Sequence, residues 1–184
     1  MTSCLRTILV TLTALVPLAA CSNLPTLPEK PSPYRLGAGD ELEIKVLGAD
    51  ELTGRYSVQD DGTIKMLMIG EVPASNLTLN QLENEMDKKL VAGQYLKQPQ
   101  VSIVILQYRP YFIIGEVPGP GAYPYVSGMK VLTAAAVAGG YTTKADQNYA
   151  IITRNGKDYK ADPTTPIHPG DIIHVPPSPL ENLL

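Results

Sequence analysis

Tyr34-Arg35-Leu36-Gly37-Ala38-Gly39-Asp40-Glu41-Leu42-Glu43-Ile44-Lys45-Val46 is a turn that runs straight into a strand. Leu42, Ile44 and Val46 alternate with Glu41, Glu43 and Lys45, the period of a strand with one buried face. The Gly39-Asp40 pair in front of it has turn chemistry, because glycine enters backbone regions closed to other residues and a short carboxylate accepts amides of its own loop. The same order returns far along the chain as Gly170-Asp171-Ile172-Ile173-His174-Val175. Two readings of this echo are open. The aspartates could share a ligand site, or each could bond backbone amides in the turn that launches its own strand. The second needs only local chemistry and is preferred. Two such turns so far apart imply two sheet-forming segments.

Working outward from the first turn, residues 56–58 and 63–66 flank Asp60-Asp61-Gly62 and read as a hairpin. Thr78 and Gln81 have the spacing of a capping box, and Leu79, Leu82, Met86 and Leu90 form one apolar helical stripe ending near Gly93. Pro99 introduces residues 101–106, apolar nearly throughout, which predicts a central strand. Around the second turn, residues 111–115 and 122–126 read as strands about Pro118-Gly119-Pro120-Gly121. Residues 131–138 form an alanine-rich helix that Gly139-Gly140 ends. Strands at 149–153 and 157–160 meet at Asn155-Gly156, the strongest short hairpin signal, and a last strand is 172–175. One helix and a small sheet in each segment make the class α+β. The boundaries are 34–109 for the first folded segment, 110–176 for the second and 177–184 for a tail.

The chain opens with Arg6, an apolar run at 7–16, and Ala19-Ala20-Cys21, the three parts of a cleavable export signal covering residues 1–20. The apolar run is too short to span a bilayer, and no later segment approaches the roughly 20 apolar residues a span requires. Residues 21–33 carry prolines at 25, 28, 31 and 33 and predict an extended spacer of about 35 Å or less, at about 3.1 Å per residue. The whole chain has 15 basic and 18 acidic side chains and no basic block, which argues against nucleic acid as a partner.

No catalytic constellation is present. His168 and His174 are the only histidines, Asp60-Asp61-Gly62 lacks the later ligands of a calcium loop, and no phosphate loop, nucleophile elbow or dinucleotide fingerprint occurs. No metal site, no cofactor and no enzymatic activity are expected. The compositional oddity is 10 tyrosines beside 1 phenylalanine and no tryptophan. Tyr108, Tyr111, Tyr123 and Tyr125 cluster at the junction of the two segments. They could line a lumen or a subunit contact, or pack as ordinary strand residues with the hydroxyl at the surface.

Leu18-Ala19-Ala20-Cys21 resembles the lipobox of bacterial lipoproteins. That resemblance implies cleavage before Cys21 and lipid on its sulfur; Cys4 leaves with the signal, so no disulfide or thiol nucleophile remains. The ordered set Tyr34 to Asp40, Asp61-Gly62-Thr63-Ile64, Ile69-Gly70-Glu71-Val72 and the Leu77-Thr78 helix start resembles the polysaccharide biosynthesis/export domain. Gly115-Glu116-Val117, Pro120-Gly121-Ala122-Tyr123, Ala138-Gly139-Gly140, Arg154-Asn155-Gly156 and Pro169 to Pro176 resemble a soluble-ligand-binding β-grasp (SLBB) module. Together they are similar to the short class of outer-membrane polysaccharide export lipoproteins. Leu67 stands where that family commonly has proline, and Asn76 where it often has glycine; asparagine is the next-best residue for a left-handed turn.

The resemblance implies a lipoprotein of the outer membrane with its body in the periplasm, acting in export of an exopolysaccharide or capsule. It further implies a homo-oligomeric ring of about eight copies, an inner-membrane polysaccharide co-polymerase as partner and polysaccharide as cargo. The short C-terminal tail leads to the expectation that no outer-membrane-spanning helix belongs to this chain and that a separate barrel completes the path. The alternatives are a ligand-binding lipoprotein using the second module and an adaptor lipoprotein.

Overall fold

Strand β1 (Glu41–Val46) buries Leu42, Ile44 and Val46 and turns Glu41 and Lys45 outward, as its alternation dictates. In the computed structural model residues 24–27 and 33–179 are described; the signal, Cys21 and residues 180–184 lie outside them. β1 is the middle strand of a three-stranded sheet, antiparallel to β2 (Gly54–Ser57) on one side and to β5 (Val101–Gln107) on the other. A separate hairpin, β3 (Thr63–Met66) with β4 (Gly70–Pro73), lies beside it.

Helix α1 (Leu79–Ala92) starts on a complete capping box: the Gln81 amide donates to Thr78 Oγ1 at 3.3 Å and the Thr78 amide to Gln81 Oε1 at 2.9 Å. Its Leu82, Met86 and Leu90 are fully buried against the sheet and the hairpin, together with Leu36, Ile64 and Val72. On its flank, Glu83 accepts the backbone amide of Ile103 at 2.9 Å. Asp87, one turn on, accepts from Val101, while burial pushes its carboxyl above the usual range. The helix thereby covers N–H groups that an edge strand would leave open to a foreign strand.

The second half forms a five-stranded sheet in the order β7-β6-β10-β8-β9: β6 (Tyr111–Gly115), β7 (Gly121–Tyr123), β8 (Ala150–Arg154), β9 (Lys157–Ala161) and β10 (Ile172–Val175). Its first and last strands, β6 and β10, run parallel in the middle and carry one antiparallel hairpin on each side. Helix α2 (Val131–Val137) connects the hairpins, so the connectivity is that of a β-grasp. Ala134 and Ala135 of α2 and Ala138 just beyond it pack against Ile113, Ile152, Ile173 and Val175, small side chains that let the helix lie close to the sheet. The fold is therefore α+β, with a small sheet, a hairpin and one helix followed by a β-rich half. Among the described residues no helix is long and apolar enough to cross a membrane.

Two local expectations change. Residues 56–58 and 63–66 do not pair as a hairpin: Asp60-Asp61-Gly62 is a turn, but β2 pairs with β1 and β3 with β4. The strand at 101–106 is an edge strand rather than a central one, and its outer face leaves Val104 and Leu106 exposed. Helix α1 does end just before Gly93, as expected, although Gly93 keeps a right-handed φ of −76° and the left-handed position falls on Gln94 (φ 59°). The proline-rich stretch is also more than a spacer. Thr26 forms a parallel bridge to Lys160, whose amide donates to Pro25 at 3.0 Å, and Leu27 packs on the second core.

Candidate functional site

The two Gly-Asp turns are built alike. Asp40 Oδ2 accepts the amide of Gly37 at 2.9 Å while the Asp40 amide donates back to Gly37 at 3.2 Å. Asp171 Oδ2 accepts the amide of His168 at 2.7 Å and its own amide donates to His168 at 3.1 Å. Gly39 (φ 90°) and Gly170 (φ 82°) both sit in the left-handed region, which explains glycine at both positions. Both aspartates are buried. A buried carboxylate requires a countercharge, and each has an arginine.

The fold brings these turns to one place. Asp40 takes the backbone amide of Arg109 through Oδ1 at 2.9 Å and its Nη1 through Oδ2 at 3.4 Å. Asp171 takes Arg154 in a two-pronged pair, Nε at 2.8 Å and Nη2 at 2.7 Å. The Gly170 amide donates to the carbonyl of Pro110 at 2.9 Å. The crossing Arg109-Pro110 is therefore gripped from both sides, by Asp40 of the first turn and Gly170 of the second. The Arg109 side chain lies against both turns: a Cβ added at Gly37 would collide with its guanidinium, and one at Gly170 would come within 2.6 Å of its Nε. Beside it, the Tyr34 hydroxyl donates to Asp40 Oδ2 at 2.6 Å. Burial first, then that hydrogen bond, pushes its ionisation far above the usual phenol range.

Between the turns is a cleft of about 260 Å³, lined by Arg35, Arg109, Arg154, Asn76, Asn155 and His168 among others. Of the three arginines Arg35 is the exposed one, tied by Nη1 to the Asn76 carbonyl at 2.6 Å. Burial, and next the charge of Arg154, hold His168 below the usual histidine range, while Asp171 pulls the other way. Three guanidinium groups stand against two buried carboxylates, so the site keeps one positive charge in excess. Among the described residues no group of three or more His, Cys, Asp or Glu could hold a metal.

The tyrosines divide. Tyr34, Tyr108 and Tyr125 form an edge-to-face ladder, with centroids 5.1 and 5.3 Å apart, and line a second cavity of about 270 Å³. Tyr111 has no exposed surface, stacks on Tyr123 at 6.0 Å and points its hydroxyl to the Ala134 carbonyl at 3.4 Å. A ring so placed is core and offers nothing to a polymer. Tyr123 donates to the Gly119 carbonyl at 2.7 Å and braces the β6–β7 turn. Cys21 lies outside the described residues. Sequence reasoning missed Arg35, Arg109 and Arg154, because single arginines in unrelated stretches carry no spacing signal; only the repeated Gly-Asp pair pointed to the place.

Residues 28–106 match the polysaccharide biosynthesis/export protein family. That segment is therefore similar to a polysaccharide biosynthesis/export domain, and the rest of the chain lies outside the match. The chain is 34% identical over 118 residues to the exopolysaccharide production protein ExoF of Rhizobium meliloti, covering 58% of this chain and 28% of that protein. It is 28% identical over 158 residues to the EPS I polysaccharide export outer membrane protein EpsA of Ralstonia nicotianae, covering 71% and 41%. It is 26% identical over 125 residues to the polysialic acid transport protein KpsD of Escherichia coli, covering 67% and 22%. The chain thus spans less than half the length of each of these relatives.

Proposed function

We propose that this protein is a lipid-anchored component of an exopolysaccharide or capsule export machine, held at the outer membrane with its body in the periplasm. The observation that carries the reading is the export domain in residues 28–106, supported by relatives named for polysaccharide export and polysialic acid transport. In this reading residues 34–109 are the export domain and 110–176 an SLBB β-grasp module, with an inner-membrane co-polymerase delivering the polymer.

Copies associate side by side and close into a ring around a polar lumen. In support, Phe112 and Ile172 face each other across β6 and β10 on the outer side of the second sheet, with Ile114 beside them, and all three are exposed. Exposed Val104 and Leu106 add apolar surface on β5. Contiguous apolar surface of this kind is what a subunit contact covers. Tyr108 and Tyr125 remain candidates for a lumen or contact; Tyr111 does not.

Cys21 is the lipidation site. Only Ser22 and Asn23 separate it from Leu24, where the described chain resumes just before the bridge to β9. Thr26, which makes that bridge, is five residues from Cys21, so at about 3.3 Å per residue the anchor would hold the second sheet within about 17 Å of the lipid, in place of the 35 Å leash that a free linker would allow. The test is deletion of the gene: surface polysaccharide should be lost or retained inside the cell, and normal surface polysaccharide would sink the export role.

A further inference from the structure

We propose that the cleft between the two Gly-Asp turns is a binding site for a sugar that carries an oxyanion, a uronate carboxylate or a phosphate ester. The inference rests on the export reading only for where such a sugar comes from; the site itself stands on geometry. Two of its three arginines are held by buried carboxylates, Arg109 by Asp40 and Arg154 by Asp171, so their guanidinium groups are positioned before any ligand arrives. Neither is used up. Among the described residues Nη2 of Arg109, Nη1 of Arg154 and Nη2 of Arg35 have no protein acceptor, and all three residues line one cleft.

Planar N–H donors that are fixed in advance and partly shielded from water suit carboxylate or phosphate, because charge-assisted hydrogen bonds strengthen as water is excluded. The side chains of Arg109 and Arg154 are 25% and 20% exposed, shielded but still open to a ligand. Of their carboxylate partners Asp171 also lines the cleft and Asp40 does not, and the excess positive charge sets the sign of the guest.

A sugar suits the rest of the wall. The side-chain amides of Asn76 and Asn155 are exposed and make no hydrogen bond among the described residues, so each can pair with a hydroxyl as donor and acceptor. His168 adds a neutral ring nitrogen. At about 260 Å³ the cleft is at the small end of ligand pockets, room for one sugar residue of a chain rather than an extended segment.

The test uses the detergent-solubilised full-length protein, with trigalacturonate, inorganic phosphate and maltotriose as probes in titration calorimetry. Trigalacturonate should bind with an affinity that falls with salt, while maltotriose should not bind. Binding of phosphate without trigalacturonate supports the same site and assigns the oxyanion to a phosphorylated sugar. Arg35→Gln changes an exposed side chain that touches neither aspartate, and should weaken the bound probe about tenfold with the melting temperature unchanged. Failure of both anionic probes, equal binding of maltotriose, or undiminished binding by Arg35→Gln and Asn155→Ala overturns the proposal. Loss of surface polysaccharide in a deletion strain is independent of all these, so failure of the site and failure of the export role are told apart.

Discussion

Asp40 accepts both the backbone amide and the guanidinium of Arg109, a residue 69 positions away at the crossing between the two sheets. One carboxylate thus folds its own turn, through Gly37, and positions the start of the second half. Removing it leaves the Gly37 and Arg109 amides and the Tyr34 hydroxyl without an acceptor and the arginine without its countercharge. Asp40→Ala should cost about 3 kcal/mol. Urea unfolding followed by tyrosine fluorescence measures it; a cost below about 1 kcal/mol would mean that water replaces the carboxylate cheaply. Asp40→Asn keeps an acceptor and should cost less.

Glu83 on α1 accepts the Ile103 amide from the edge of the first sheet. Glu83→Ala should destabilise by about 1.5 kcal/mol, the cost of an unmet backbone donor beside a lost charged acceptor. It should also speed hydrogen exchange at Ile103 ahead of the strand interior. Unchanged exchange there would show that α1 does not guard the edge.

His168 binds its proton less readily in the folded chain than the usual 6.5, chiefly through burial and next through Arg154. A depressed histidine means that the unfolded chain takes up more protons at acid pH. The stability this group confers is therefore complete above about pH 6.5 and is lost as pH falls through that value toward the lower folded one. Melting temperatures measured on either side of that value, at about pH 7.5 and about pH 5.5, should show the decline, and His168→Gln should reduce it. An equal decline in the variant would place the dependence in other groups.

Phe112 and Ile172 are exposed partners across β6 and β10. Changing Phe112 to lysine and Ile172 to aspartate leaves the core untouched and places opposite charges across the strands, so the melting temperature should move little while the oligomer in detergent dissociates. Native mass spectrometry reads the outcome. A wild-type protein that stays monomeric throughout would remove the ring.

Cys21→Ser should release the protein from the membrane fraction into the periplasm. Globomycin, which blocks lipoprotein signal cleavage, should leave the wild-type precursor uncut on a gel. A serine variant that still fractionates with the outer membrane would show that another protein holds it there.

Elements whose determinants lie within a few residues are legible in the amino-acid order alone. Alternation in β1, the Thr78–Gln81 box, the Asn155-Gly156 hairpin with both residues at positive φ, and the Gly139-Gly140 stop each depend on contacts inside one turn or strand. At each of them the pattern and the folded element agree in type. Pairing is harder to read: the segments around Asp60-Asp61-Gly62 have hairpin chemistry, yet β2 already has β1 as its neighbour and β3 finds β4. An apolar run such as 101–106 looks buried on both faces, and only sheet order decides that β5 is an edge.

The sequence by itself determined the α+β class, the two turn-and-strand launches and the export-domain pattern, because backbone preference, side-chain period and local capping are properties of neighbours along the chain. Only the tertiary structure decided that the two launches meet. Arg109 and Arg154 reach Asp40 and Asp171 across 69 and 17 positions, contacts set by which strands pair within each sheet rather than by any motif. Tertiary packing buries Tyr111, leaves Tyr108 in a cavity and turns two ordinary turns into the walls of a cationic cleft.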